Sequence, residues 1–135
     1  MKASISFPEL QNIIAEKAKQ QIAFAFVDGK TIRVTFPFSL GFIKKDLSAN
    51  MIIKELVGSD LLVGVDAGTG TDTMITTVLS LLKGKIPEGL VEKRPGNQLL
   101  IHLGQIEKAK DLFDKIDITD LHVLAEGLEA EGVLK

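Results

Sequence analysis

The stretch of the sequence that most suggests chemistry is LLVGVDAGTGTDTMITT, residues 61–77. An apolar run ends at Asp66 and is followed by alternating glycine and threonine over residues 68–71. A glycine-rich loop between a strand and a helix can hold a phosphate group with its backbone N–H groups. If this loop did so, the chain would be a nucleotide-binding protein.

Two of the known phosphate motifs do not fit this loop. The Walker A motif needs a lysine followed by Ser or Thr after its last glycine, and Asp72 stands where that cation is required. The dinucleotide fingerprint needs three spaced glycines, and the loop supplies only Gly68 and Gly70. Neither motif is therefore present.

A third motif is closer. The residues GVDAGTGT, which begin at Gly64, resemble the first phosphate loop of the actin, Hsp70 and sugar-kinase superfamily. The resemblance implies that Asp66 would lie beside the metal, and Thr69 and Thr71 beside the phosphate. Those proteins close two lobes over the nucleotide and need several hundred residues. Their loop also joins two strands, whereas residues 74–82 have helical spacing.

A simpler interpretation of the loop is structural. Gly68 and Gly70 would form a flexible turn, and Thr71 or Asp72 would cap the helix that follows. An acidic residue in the first turn of a helix suits the helix dipole and repels a phosphate. We therefore predict a turn and a helix cap here.

The two histidines, His102 and His122, are the next candidates, because imidazole titrates near neutral pH. They could be paired metal ligands or an acid–base pair. Both fall in predicted strands, and neither has the H-x-x-x-H or Glu-x-x-His spacing that supports a metal site. We therefore expect two outward-facing residues on the polar face of a sheet.

The remaining charged and nucleophilic residues suggest no catalytic centre. Aspartates recur every three residues from Asp111 to Asp120, but without the EF-hand pattern they are expected on a solvated helix face that runs into a turn. No G-x-S-x-G motif is present. A small basic patch of Lys44, Lys45 and Lys54 is expected to serve solubility. We predict no metal, no cofactor and no enzymatic activity.

Composition narrows the class of protein. The 135 residues fit one domain, residues 1–135, with 45% hydrophobic and 25% charged residues. A net charge of -2, together with the absence of Tyr and Trp, argues against nucleic-acid binding. There is no cysteine, and no apolar run approaches the roughly 20 residues that span a membrane. No signal peptide is apparent at the N-terminus, so a cytoplasmic protein is expected.

Periodicity predicts helices over residues 6–21, 74–82 and 105–115. The first begins with Ser6 and Glu9 in the spacing of a capping box. The apolar stripe of that helix would consist of Leu10, Ile13, Ile14 and Ala18.

Alternating apolar residues predict four β-hairpins, with turns at residues 28–29, 58–60, 95–97 and 126–127. Pro37 should end the pairing of its strand or lie at a sheet edge. Strands joined by tight turns are antiparallel, so the predicted fold class is α+β. We expect a curved antiparallel sheet built from β-hairpins and packed against an N-terminal helix and two further helices.

Six of the seven phenylalanines fall in the first 42 residues, where the first helix and the first hairpin are predicted. Two interpretations of this apolar surface remain open. It could be ordinary core, or it could leave an open apolar groove between the helix and a curved sheet. The residues that would line such a groove are Leu10, Ile14, Phe24, Phe26, Val34 and Phe36.

The order of elements and the last part of the chain, which begins GNQLLIHL at Gly96, resemble the tubular lipid-binding (TULIP) superfamily. Similar chains close with a strand, a short helix and I-T-D-L-x-V, here residues 118–123. They then run into a D/E-G-L-x-x-x-G hairpin, here residues 126–132. The resemblance implies a strongly curved antiparallel sheet that wraps a long helix and holds a lipid or other apolar ligand.

Two candidate functions therefore remain. The first is a non-enzymatic domain that binds a lipid or another apolar small molecule in the groove. The alternative is a protein–protein interaction domain, or a scaffold domain with a filled core that forms a homo-oligomer, because open antiparallel sheets leave strand edges.

Overall fold

The computed structural model describes residues 1–18 and 21–135. Within these residues the chain is α+β, with nine strands in two antiparallel sheets and three α-helices, which confirms the predicted fold class. The elements are β1 (Lys2–Ser6), α1 (Phe7–Ala18), β2 (Ala23–Asp28), β3 (Thr31–Leu40), β4 (Ile43–Val57), β5 (Asp60–Asp66), α2 (Thr71–Leu82), β6 (Val91–Arg94), β7 (Gln98–His102), α3 (Glu107–Lys115), β8 (Ile116–Leu124) and β9 (Gly127–Leu134).

The larger sheet has six strands in the order β2-β3-β4-β5-β7-β6. The predicted hairpins β2–β3, β4–β5 and β6–β7 are all formed. The β3–β4 hairpin was not predicted. These two strands pair along ten positions, from Thr31 to Leu40, and are connected by a turn at Gly41. β2 and β6 are the edge strands of this sheet.

The smaller sheet has the order β1-β9-β8. The β8–β9 hairpin was predicted, but β1 was not, and it pairs with β9 along the whole of Lys2–Ser6. Gly127 lies opposite Ser6, and a Cβ atom at Gly127 would collide with the backbone oxygen of Ile5. The close approach of β1 to β9 therefore requires glycine at position 127.

Direct contacts join the two sheets beside the turn between β2 and β3. The backbone N–H of Val123 donates to the carbonyl of Gly29, with N and O 2.9 Å apart. Nζ of Lys30 donates to Oδ1 of Asp120 at 3.1 Å and to the carbonyl oxygen of Leu121 at 2.8 Å. The smaller sheet is thus held against one end of the larger one.

Among the described residues, most of the buried apolar side chains form two clusters. One brings together Phe7 of α1, Ile32 of β3 and Val123 of β8. The other consists of Ala49, Val65 and Ile75, and packs α2 against strands β4 and β5 of the larger sheet. Since side chains alternate between the faces of a strand, the register places the β3, β4 and β5 residues of both clusters on one face of the larger sheet.

The capping box at the start of α1 is confirmed. The backbone N–H of Glu9 donates to Oγ of Ser6, and the backbone N–H of Ser6 donates to Oε1 of Glu9, both at 3.2 Å. The predicted helix ran to residue 21. In the structure α1 ends at Ala18, residues 19 and 20 lie outside the described residues, and Gln21 is not helical.

The apolar stripe predicted for α1 is partly wrong. Phe7, at the first position of the helix, is buried, whereas Ile13 is exposed. The rings of Phe7 and Phe24 stack with centroids 6.2 Å apart. The helix therefore contributes to the core mainly through its first turn.

Pro37 was predicted either to end the pairing of its strand or to lie at a sheet edge, and the second alternative is confirmed. It lies past the last β2–β3 pair, Ala23 with Thr35, while β3 continues to pair with β4 as far as Leu40.

One further prediction needs correction. The aspartates from Asp111 to Asp120 do not end in a turn, because α3 passes directly into β8.

Candidate functional site

The glycine loop is closed by its own hydrogen bonds. Oγ1 of Thr71 accepts from the backbone N–H of Ala67 at 3.0 Å and donates to the carbonyl of Gly68 at 2.7 Å. The N–H of Gly68 donates to Oδ1 of Asp66 at 3.0 Å. Thr71 is buried, with 4% of its surface exposed. Asp66 and Thr71, two of the three side chains that the phosphate-loop resemblance implies, are therefore used to hold the turn together.

The predicted side-chain cap of α2 is wrong. The N-cap residue is Gly70, in the left-handed region at φ 85, and no side chain caps the helix. Asp72 instead forms an ion pair with Lys93 of β6, with Oδ1 and Nζ 2.6 Å apart. Glycine is suited to this position because a residue with a Cβ atom is strained at positive φ.

The six residues predicted to line a groove do not lie in one place. Phe24 and Val34 pack against the Phe7 cluster in the core. Phe26 is 45% exposed on the edge strand β2. Leu10 and Ile14 of α1 are half-buried.

Phe36, the sixth, lies in the wall of a cleft between α1, β2 and β3. The volume of this cleft is about 470 Å³, within the range typical of small-molecule sites. Apolar and polar residues alternate around it: Gln11, Asn12, Ala15, Gln21, Ile22, Ala23, Thr35, Phe36, Pro37 and Asp46. A groove between helix and sheet thus exists, but Phe36 is the only one of the six predicted residues in the lining that is described.

A larger cleft, of about 710 Å³, lies between the second half of α2 and the segment that leads into β6. Leu79, Ile86 and Val91 contribute apolar side chains, and Lys83 and Lys93 carry positive charge beside them. The sequence contained no signal for this cleft, because it depends on how the segment after α2 folds back.

His102 lies at the end of β7, opposite Asp60 of β5. Nδ1 of His102 is 2.8 Å from Oδ1 of Asp60, and Nε2 is 3.5 Å from Oε2 of Glu92. The hydrogen bond to Asp60 raises the pKa of His102 above its ordinary value of 6.5, and the Glu92 carboxylate acts in the same direction. The positively charged imidazolium is therefore favoured at this position.

His122 has the same arrangement in the smaller sheet. Nδ1 of His122 lies 2.8 Å from Oδ2 of Asp120, and Nε2 lies 3.0 Å from Oε1 of Glu129. Lys30 approaches Asp120 from the larger sheet, and Lys2 lies 4.0 Å from Glu129. A chain of hydrogen bonds and ion pairs therefore crosses from the β2–β3 turn through His122 to β1.

The histidines are not a pair, because they lie in different sheets. Each has a carboxylate on either side of its ring, so the two carboxylates cannot converge on one ion. No cluster of three or more potential metal ligands occurs among the residues that the structure describes. The expectation of outward-facing histidines on a polar face missed their carboxylate partners. Strand alternation could have indicated Asp120, which lies two residues before His122 on β8, whereas the other three carboxylates lie on other strands and require the register.

Eleven large apolar side chains are exposed in the described part of the chain. They include Phe26 and Val27, which are adjacent on the edge strand β2, and Phe42 and Ile43, at the turn between β3 and β4. The pairing of β2 with β3 shifts register between Phe26 and Asp28, so these apolar side chains lie at an irregular part of the edge. Because interaction surfaces are often apolar, these two regions are candidate contact sites.

The chain matches no protein-family model, and no curated protein or solved structure is similar to it. No helix within the described ranges is long and apolar enough to cross a membrane.

Proposed function

We propose that this chain is a non-catalytic association domain that forms a homo-oligomer through the edge of its larger sheet. The observation that carries the proposal is its surface area of 8622 Å². That value is about a quarter above the roughly 6,900 Å² expected of a folded monomer of this length. The excess, about 1,700 Å², is comparable with the area that one subunit buries in a permanent dimer.

The incomplete burial of the core side chains supports this proposal. No large side chain in the described residues is buried to more than 98%. Burying apolar surface is the main source of folding free energy, so a chain that exposes this much gains stability when a second copy covers it.

The edge strand β2 is the part of the surface that best fits a second copy. β3 is its only strand neighbour in the described residues, and Phe26 and Val27 on it are exposed. An open edge offers backbone N–H and C=O groups to another strand, and the apolar side chains add buried area. The N–H of Phe24, near the start of β2, is already bonded to Gln11, and the carbonyl of Gly29, just after its end, accepts from Val123. The available part of the edge is therefore residues 26–28.

Sedimentation equilibrium at several protein concentrations tests the proposal. The wild-type chain should have the mass of a dimer or larger oligomer, and the double variant Phe26→Lys/Val27→Lys should be a folded monomer. Val57→Lys is the matched control, because Val57 is also an exposed apolar residue but lies at the β4–β5 turn. A wild-type monomer at all concentrations would exclude the proposal.

A second candidate function is the binding of a lipid or other apolar small molecule, as the resemblance to the TULIP superfamily implies. The specific support is the cleft of about 470 Å³ between α1 and the sheet, with Phe36 and Ile22 in its walls. Apolar burial contributes about 25 cal/mol per Å², so a ligand that covers these side chains would gain affinity from them.

Native mass spectrometry of freshly purified protein, followed by organic extraction, tests this candidate. A bound lipid would add a discrete mass, and Phe36→Glu should remove it while circular dichroism shows that the variant is folded. Leu79→Glu alters the cleft beside α2 instead and is the matched control. If Leu79→Glu alone removed the added mass, the α2 cleft would be the site; an apo mass throughout would exclude both clefts.

A further inference from the structure

The outer half of the β3–β4 hairpin, residues 36–47, projects beyond the rest of the larger sheet. β2 pairs with β3 only as far as Thr35, and β5 pairs with β4 only from Asn50 onward. The five pairs from Phe36–Leu47 to Leu40–Ile43 therefore have no flanking strand in the described residues. At about 3.4 Å per residue, this arm extends roughly 17 Å.

The tip of the arm is apolar and fully exposed. Phe42 has 106% of its reference surface exposed and Ile43 has 61%. Lys44 and Lys45 follow directly on β4 and are also exposed. Because consecutive strand residues point to opposite faces, one lysine lies on each face of the arm, behind the apolar tip.

The basic patch expected from the sequence does not form. Lys54 lies ten residues along β4 from Lys44, a distance of roughly 33 Å in an extended strand. Its side chain lies over Gly64, where an added Cβ would meet Cε of Lys54 at 2.8 Å. Lys44 and Lys45 are therefore associated with the apolar tip and not with a broader basic surface.

We propose that the arm docks on an anionic lipid bilayer, with Phe42 and Ile43 in the outer edge of the acyl region and Lys44 and Lys45 at the phosphate level. The distance along the arm between the two apolar residues and the two lysines fits the 5–10 Å depth to which interfacial segments bury their apolar residues. Lysines at this level are attracted by anionic headgroups. This inference goes beyond the association proposal and does not depend on it, since a single chain carries the complete arm.

Charge and shape favour a bilayer over a protein partner as the occupant. A narrow two-stranded arm offers little area to a protein surface, whereas a single apolar tip can enter a bilayer without a complementary pocket. The net charge of the chain is -2, so attraction to an anionic surface must come from a local group of positive charges and not from the chain as a whole. The arm carries two lysines against one acidic residue, Asp46.

Co-sedimentation with vesicles of phosphatidylcholine alone, and of phosphatidylcholine with phosphatidylserine, tests the proposal. The wild-type chain should bind the phosphatidylserine vesicles and lose most of that binding in high salt. Phe42→Ser should weaken binding about tenfold or more. Lys44→Glu/Lys45→Glu should weaken it by a similar factor and remove the preference for phosphatidylserine.

Val57→Ser is the matched control and should bind like the wild-type chain, because Val57 is also an exposed apolar residue but lies at the opposite end of β4. Circular dichroism of all variants excludes loss of folding. The proposal is overturned if neither kind of vesicle is bound, or if Phe42→Ser binds like the wild type. It is also overturned if Phe42→Ser changes only the oligomeric mass in solution, because the arm would then dock on protein.

Discussion

His102 and Asp60 face each other across β7 and β5, with Nδ1 of the imidazole 2.8 Å from a carboxylate oxygen. This hydrogen bond raises the pKa of His102 above 6.5 in the folded chain. The stability that the pair contributes is therefore fully present below the unfolded pKa and is lost as the pH rises through the folded pKa. Urea midpoints measured from mildly acidic to mildly alkaline pH should show this loss.

The variant Asp60→Asn should bring the pKa of His102 back toward its ordinary value and remove that pH-dependent part of the stability. NMR titration of the imidazole measures the pKa directly. Glu92→Gln is the control, because Glu92 is 3.5 Å from Nε2 and should lower the pKa less than Asp60→Asn does. A larger effect of Glu92→Gln would contradict the assignment of Asp60 as the main partner.

Gly127→Ala should destabilise the chain by about 1–3 kcal/mol, as overpacking in a tight contact does. The new Cβ would collide with the backbone oxygen of Ile5 and approach Cα of Ser6 to 2.7 Å, and backbone cannot move aside cheaply. Urea denaturation gives the loss, and faster amide exchange in β1 would locate it. Gly29→Ala, where nothing lies within 4 Å of the added Cβ, should be nearly neutral; equal losses would contradict the argument.

Gln11→Leu should destabilise the chain by about 1 kcal/mol, because Oε1 of Gln11 accepts the N–H of Phe24 at 3.0 Å. Without this acceptor the edge backbone of β2 loses its link to α1, and amide exchange at Phe24 should accelerate. Asn12→Leu changes a neighbouring residue of the same cleft and should leave that exchange rate unchanged.

Thr71→Val should cost about 1–2 kcal/mol, since it removes a buried hydroxyl that bonds Ala67 and Gly68. Thr69→Val, at an exposed position of the same loop, should change the unfolding free energy by less than about 0.5 kcal/mol. Inorganic phosphate should not raise the melting temperature of the wild-type chain. A phosphate-dependent rise that Thr69→Val abolishes would restore the phosphate-loop interpretation.

The hairpins could be predicted because their turns need particular residues. Asn97 and Gly96 both have positive φ, at 57 and 79, and such backbone angles favour Asn and Gly. The Ser6–Glu9 capping box is likewise a local pattern three residues long. Signals of this kind depend only on near neighbours in the chain, so they can be read without knowing the fold.

The candidate sites could not be predicted in the same way. Periodicity shows which residues of α1 are apolar, but not that Gln11 would bond the edge of β2 and that Phe7 would enter the core. The cross-strand partners of His102 depend on register, because Asp60 is opposite His102 on a strand far away in sequence. Asp120 could have been predicted, since it lies two residues before His122 on the same strand and so on the same face. The exposed arm depends on where β2 and β5 stop pairing, and strand ends carry weak signals.

The pairing of β1 with β9 sets an order for folding. Ser6 lies opposite Gly127, so β1 has no strand partner until nearly the whole chain is available. The strands of the larger sheet pair mostly with their sequence neighbours, so that sheet closes short loops at a small entropic cost and can form first. The cluster of Phe7, Ile32 and Val123 takes residues from both ends of the chain. During synthesis it would therefore be completed last, and the two sheets would be locked together only at that step.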